Sequence, residues 1–253
     1  MKPRKEHYRR NLPHFQQPGQ WYSVTCTLVG AMPKGAMEKY SIQLEAAKNR
    51  LELRHGLPKS VISDLGKSES REPDFPKSDK TVNLGKLTSQ FAQAKTEYQI
   101  ALQKYRLAYD KILNHSKEPG ILLSKEINRK IIEGALKFWE GKRLTTHAWC
   151  IMSNHFHWVL SVFEKDETGK PIYLQDILHS VKLFSARGIN KNENRGGQLW
   201  IHESFETTIR NDNNLMNMIK YTINNPVSAG LVKDWNEWTG TFVSPELRQG
   251  LSI

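Results

Sequence analysis

The chain has 253 residues, enough for one large domain or for a domain carrying an insertion. Its net charge of +11 favours a polyanionic partner, and no apolar run reaches the roughly 18 residues that a bilayer-spanning helix needs, which excludes a membrane partner of that kind. Cys26 and Cys150 stand far apart in no paired spacing, which excludes a disulfide framework or a cysteine zinc site and reads as reduced, cytoplasmic core thiols.

The start, MKPRKEHYRRNLPHF, is basic with no apolar run behind it, so no secretory signal is expected. Its Arg4, Arg9 and Arg10 are candidate DNA-binding cations. WYSVTCTLV (21–29) alternates, with Tyr22, Val24, Cys26 and Leu28 on one face and Ser23, Thr25 and Thr27 on the other. That predicts a half-buried strand with a polar face. The period then changes. Met37, Tyr40, Leu44, Ala47 and Leu51 step by three and four, and so do Leu84, Leu87, Phe91, Ala94, Tyr98, Ala101, Tyr105, Ala108 and Ile112. This heptad-like seam predicts a helical hairpin inserted at 32–113, around a flexible loop at about 56–83 rich in Pro, Ser, Lys and Asp.

NHSKEPG (114–120) ends that pattern. A helix capped by Ser124 is predicted through Trp139, with Ile127, Ile131, Ala135 and Phe138 on one side. Strands follow at 144–152 and 155–163, joined at Ser153 and Asn154. An amphipathic helix covers 174–190, with Leu174, Ile177, Leu178, Val181 and Phe184 on one stripe. A strand at 203–210 and a helix at 212–225 come next. Without the insertion the order is strand, helix, strand, strand, helix, strand and one further helix. The expected fold is α+β, a ferredoxin-like split βαβ sheet with helices on one face, formed by residues 1–31 and 114–253.

AWCIMSNHFHWVL (148–160) carries the chemistry. In a strand, residues i and i+2 share a face. His155, His157, Val159 and Ser161 therefore point one way, and the apolar set Phe156, Trp158, Leu160 and Val162 points the other. Two imidazoles so placed can converge on one cation; the same pattern also fits two partly exposed histidines bonded to loops. In NNLMNMIKYTINNPVSAGLV (213–232), Leu215, Met216, Ile219 and Ile223 form the apolar stripe. Tyr221 falls nearly opposite, with Asn225 one turn away. That pair can bring a nucleophile and a third metal ligand together; an exposed tyrosine at a helix end is the alternative.

HAWCIMSNHFHWVL and YTINNPVSAGLV together resemble the single-tyrosine HUH transposases (His-hydrophobic-His), nearest to the REP-associated tyrosine transposases. NLPHFQQPGQWYSVTCTL, LHSVKLFSARGIN and LWIHESFETTIRN resemble that branch in the same order, so the likeness covers roughly 12–31 and 121–240. It departs at Ser153, usually proline, and in the heptad hairpin. The resemblance implies the HUH endonuclease fold and a transposase that cuts and rejoins single-stranded DNA through a 5′-phosphotyrosine. It implies Tyr221 as nucleophile, His155, His157 and Asn225 as ligands of Mg²⁺ or Mn²⁺, and hairpin-forming DNA ends as partner. Lys182, Arg187 and Arg210 add candidate phosphate contacts. No small-molecule substrate is expected, and the protein is expected to be a monomer or homodimer. The rival expectations are a domesticated DNA-binding protein without turnover, an HUH replication initiator or relaxase, and an RNA-binding ferredoxin-like domain.

Overall fold

The structure is a computed structural model that describes residues 7–9, 13–15, 17–53, 84–116 and 120–251. The expected flexible loop at 56–83 and the candidate cations Arg4 and Arg10 lie outside them; Arg9 falls on a strand whose side chains are not described. The chain divides into two compact units, Pro33–Ile112 and the remainder.

The first unit is built on a five-stranded antiparallel sheet. In chain order its strands are β3 (Trp21–Thr27), β4 (Leu144–Ile151), β5 (His155–Val162), β6 (Phe205–Ile209) and β7 (Thr241–Val243), arranged β6-β3-β5-β4-β7. A separate hairpin pairs β1 (His7–Arg9) with β2 (Pro13–Phe15). One helix, α3 (Glu126–Lys137), joins β3's side of the chain to β4, and another, α4 (Leu174–Asn192), joins β5 to β6. The two helices pack on each other. α5 (Asp212–Ile223) and the short α6 (Asn225–Ser228) follow β6, and α7 (Pro245–Arg248) follows β7. Among the described residues no helix is long and apolar enough to cross a membrane.

Both faces of β5 are buried. Phe156, Trp158 and Leu160 are fully buried, and Trp158 uses its indole N–H on Thr146 Oγ1 at 3.2 Å, which satisfies the polar end of the largest core side chain. The opposite face is covered too. The stripe of α5 (Leu215, Met218, Ile219 and Ile223) packs with Ala148, Val159, Ile209 and Val243 in one cluster, with Met218 buried where Met216 was expected and Met216 only partly buried against it. The expectation of helices on one face is therefore wrong, because Ala148, Val159 and Val243 make the second face apolar enough to bury a helix. For the same reason the polar face of β3 is not half-exposed. Ser23, Thr25 and Thr27 are all buried, since β3 lies inside the sheet between β6 and β5.

α3 starts later than expected. Its N-cap is Lys125, without a side-chain cap bond, so Ser124 does not cap it. Its buried residues are Asn128, Ile132, Ala135 and Leu136, whereas Ile127 and Phe138 are exposed. The buried stripe is displaced because a polar residue belongs to it. Asn128 Nδ2 donates to Leu122 O at 3.0 Å and to Glu193 Oε1 at 2.6 Å, and its oxygen accepts from Asn192 at 3.0 Å. With all its bonds made, the amide costs little to bury. Phe184 is likewise exposed on α4, and Ser185 and Ile189 are buried instead. β7 and the segment around it were not expected. Gly240 admits this edge strand closely, since a Cβ there would collide with Ile151 O; the Gly240 carbonyl accepts from Ile151 N at 2.9 Å.

The second unit contains α1 (Glu38–Leu53) and most of α2 (Leu84–His115). Met37, Leu44, Ala47, Ala94, Tyr105 and Ala108 of the expected seam are buried. Arg50 Nε pairs with Glu97 Oε2 at 3.3 Å, tying the two helices together near their described ends. Asp110 is also buried, and burial raises its carboxyl to about 7, with Arg106 offsetting part of the shift.

Candidate metal and nucleophile site

The site lies on the α5 face of the sheet. β5 puts the two histidine rings on the same side, perpendicular to one another with centroids 4.8 Å apart. His155 Nε2 and His157 Nε2 stand 3.1 Å apart. Two nitrogens each about 2.1 Å from a shared cation, at nearly a right angle, would stand about 3.0 Å apart. The spacing of the donor pair therefore suits one divalent ion. Both rings are buried. The burial, and secondarily the neighbouring His157, holds His155 well below its ordinary imidazole value, so the ring is neutral, the form that binds metals.

The outer nitrogens are held from behind. His155 Nδ1 meets Asn154 Oδ1 at 2.7 Å, and His157 Nδ1 meets Thr25 Oγ1 at 3.0 Å. The second contact follows from strand register, because Thr25 is the direct partner of His157 across β3 and β5. Neither Asn154 nor Thr25 was singled out from the sequence for a role at the site. The polar face of β3 was the available signal, and only the pairing register turns it into a contact with His157.

α5 brings the tyrosine. Its N-cap is Asn211, whose side chain accepts from Asn214 N at 2.9 Å, and its apolar stripe seats it on the sheet. Tyr221 is partly buried, and its ring meets that of His157 edge-on, with centroids 6.1 Å apart and planes at 82°. The structure thus brings His155, His157 and Tyr221 together. Asn225 begins α6 rather than extending α5. It is buried, and its Nδ2 donates to Tyr221 O at 3.1 Å.

The basic candidates are dispersed. Lys182 Nζ donates to Ile201 O at 2.9 Å and His202 O at 3.1 Å, so two of its bonds brace the loop before β6. Arg187 and Arg210 are exposed on α4 and just beyond β6. Trp200 is core, donating to Ser185 Oγ at 3.0 Å and lying edge-on to Phe156. Both cysteines are buried and unoxidised, and burial pushes the Cys150 thiol up to about 12, which makes it unreactive.

No family model matches the chain, and no curated protein matches it. Among solved structures it is similar to a REP-associated tyrosine transposase bound to a REP hairpin, at 13% identity and a TM-score of 0.43, over 97% of this chain and 87% of that one.

Proposed function

We propose that this protein cuts and rejoins single-stranded DNA as a metal-dependent transposase of the single-tyrosine HUH kind, acting on hairpin-forming ends. The observation that carries the reading is the edge-on contact of Tyr221 with His157, whose Nε2 converges with that of His155. A buried imidazole pair beside a phenol suits phosphoryl transfer better than a plain binding surface does. In this reading the sheet order β6-β3-β5-β4 is the ferredoxin-like split βαβ arrangement, with β7 added at its edge.

Tyr221 Oη attacks the scissile phosphorus, and the 3′-oxygen leaves. The phenolic proton is given up, the leaving oxygen takes one, and the 5′-phosphate remains on the tyrosine. A divalent cation, Mg²⁺ or Mn²⁺, held by His155, His157 and the Asn225 amide oxygen, would polarise the phosphate and offset the charge that develops on it. The Asn225 amide also ties the end of α5 through Tyr221 O, which restricts where the phenol can stand. The covalent link conserves the phosphodiester energy, so a later 3′-hydroxyl can reverse the step and join strands. Arg187 and Arg210, exposed near α4 and β6, and the basic segment with Arg4, Arg9 and Arg10 would hold the DNA backbone, with affinity falling steeply as salt rises. Lys182 would act mainly by bracing the loop that precedes β6.

Incubating the full chain with a pool of single-stranded hairpins and Mn²⁺ tests the reading. The expected result is DNA trapped covalently on Tyr221 and a free 3′-hydroxyl fragment, both abolished by EDTA. Cleavage that leaves no protein-bound DNA would defeat it.

A further inference from the structure

The two site histidines are braced by side chains of different hydrogen-bonding character, and the difference has a chemical consequence. Asn154 Nδ2 donates to Leu113 O at 2.9 Å and to Ser116 Oγ at 3.0 Å. A backbone carbonyl only accepts, so the amide nitrogen must face Leu113 and the amide oxygen must face His155. That oxygen also only accepts. His155 Nδ1, 2.7 Å away, therefore carries the ring proton, and its Nε2 presents a lone pair toward His157 Nε2. Thr25 is not restricted in this way, because a hydroxyl turns to donate or to accept.

Without a cation, two Nε2 lone pairs at 3.1 Å would repel. The arrangement is favourable when His157 Nε2–H donates to His155 and Thr25 donates to His157 Nδ1. With a cation shared by both Nε2 atoms, His157 must instead carry its proton on Nδ1, and Thr25 must accept it. In the change the Nε2–H bond of His157 breaks and an Nδ1–H bond forms, the proton exchanging through water. The pair as a whole releases none.

We infer that Asn154 and Thr25 are positioning residues of the metal centre: Asn154 locks His155 in one tautomer, and the rotatable Thr25 hydroxyl lets His157 change tautomer when a divalent cation binds between the rings. The inference rests on the metal-dependent reading above and adds how the site is prepared for the ion.

The test joins ¹⁵N-histidine NMR of the full chain, with and without Zn²⁺, to Mn²⁺ titration followed by EPR. His155 is expected to be protonated at Nδ1 in both states, and His157 to move its proton from Nε2 to Nδ1 when Zn²⁺ is added. Thr25→Val should weaken Mn²⁺ binding by about tenfold or more, the range seen when such outer partners are lost, and Thr25→Ser should restore it. Asn154→Ala should bring a mixture of His155 tautomers, with the unfolding midpoint recorded alongside. A Thr25→Val protein of unchanged midpoint and unchanged Mn²⁺ affinity overturns the role of Thr25. Wild-type His155 protonated at Nε2 overturns the role of Asn154, whether or not any variant folds. Wild-type protein that binds neither ion overturns the metal reading itself and the inference with it, a result distinct from both others because it needs no variant.

Discussion

The sheet unit and the helical unit bury different things. The sheet unit fills its core with large side chains, Trp158, Phe156 and Tyr22, and ties the buried polar groups around its histidines and α3 by named bonds: Asn154 to His155, Thr25 to His157, Asn128 to Glu193. In the helical unit the buried positions include small ones, Ala47, Ala94 and Ala108, together with a carboxyl, Asp110. Large interlocked side chains fix positions to fractions of an ångström, whereas alanine-lined helices meet with little to key them. Reactive geometry needs the first kind of packing, and the His155, His157 and Tyr221 constellation is found there.

Substitutions in the sheet unit should therefore have the larger effects. Tyr221→Phe removes only a hydroxyl, yet it should reduce strand cleavage by at least about a thousandfold, roughly 4 kcal/mol of barrier, and eliminate the protein–DNA adduct. Its urea midpoint should stay near the wild-type value, since the ring contact with His157 is kept. Residual adduct, seen as a band shifted on a denaturing gel, would assign the nucleophile elsewhere. In stability, Phe156→Ala should cost about 3–5 kcal/mol, because a fully buried aromatic leaves a cavity in the sheet core. Leu44→Ala in α1 should cost about 2 kcal/mol, the low end for a buried leucine, as a less interlocked site relaxes more easily. Equal losses in urea titrations would erase the proposed contrast.

How legible each region was follows the same division. Local periodicity was enough to place the histidines on one face of β5 and to predict helices where α1 and α2 stand. It put Tyr221 nearly opposite the apolar stripe of α5, which is too far round, because the ring is partly buried against the same cluster as that stripe. It failed wherever a distant partner changes what a residue tolerates. Asn128 was absent from the expected stripe of α3, and its partners, Glu193 and Asn192, lie at the far end of α4. Thr25 looked like a half-exposed strand residue because its neighbour across the ladder is set by register. The covered second face was missed for a related reason. Val159, Ala148 and Val243 sit on three different strands, and only the assembled sheet makes them one apolar surface. β7 is short, Thr241–Val243, and owes its existence to pairing with β4 rather than to its own pattern.

Asp110 gives the helical unit a pH signature that the sheet-unit threonines and asparagines cannot produce. Its folded value of about 7 lies above the 3.8 of an ordinary aspartate. The folded state therefore binds the proton more tightly, so the stability it contributes is present below about pH 4 and lost as pH rises through about 7. Asp110→Asn should flatten that fall and raise the metal-free unfolding midpoint at pH 8, by an amount equivalent to roughly 1–4 kcal/mol. Thermal melts from pH 4 to 8 read this directly. A fall between pH 4 and 8 that persists unchanged in Asp110→Asn would assign the pH dependence to another group.

The smallest effect should come from the ion pair that joins α1 to α2. Arg50 and Glu97 meet at 3.3 Å, with about half and a third of their side chains open to water, 51% and 35%. Exposed pairs of this kind contribute about 0.2–1 kcal/mol, because water screens the attraction and two long side chains lose freedom in forming it. Arg50→Ala should therefore lower stability by less than about 1 kcal/mol, and the difference should vanish in about 1 M salt, where the screening length shrinks to about 3 Å. A double-mutant cycle with Glu97→Ala isolates the pair from the packing of the arginine stem. A coupling well above 1 kcal/mol that persists at high salt would mean that the two helices are keyed to each other by charge, and that the helical unit is specified more tightly than its alanine-lined seam suggests.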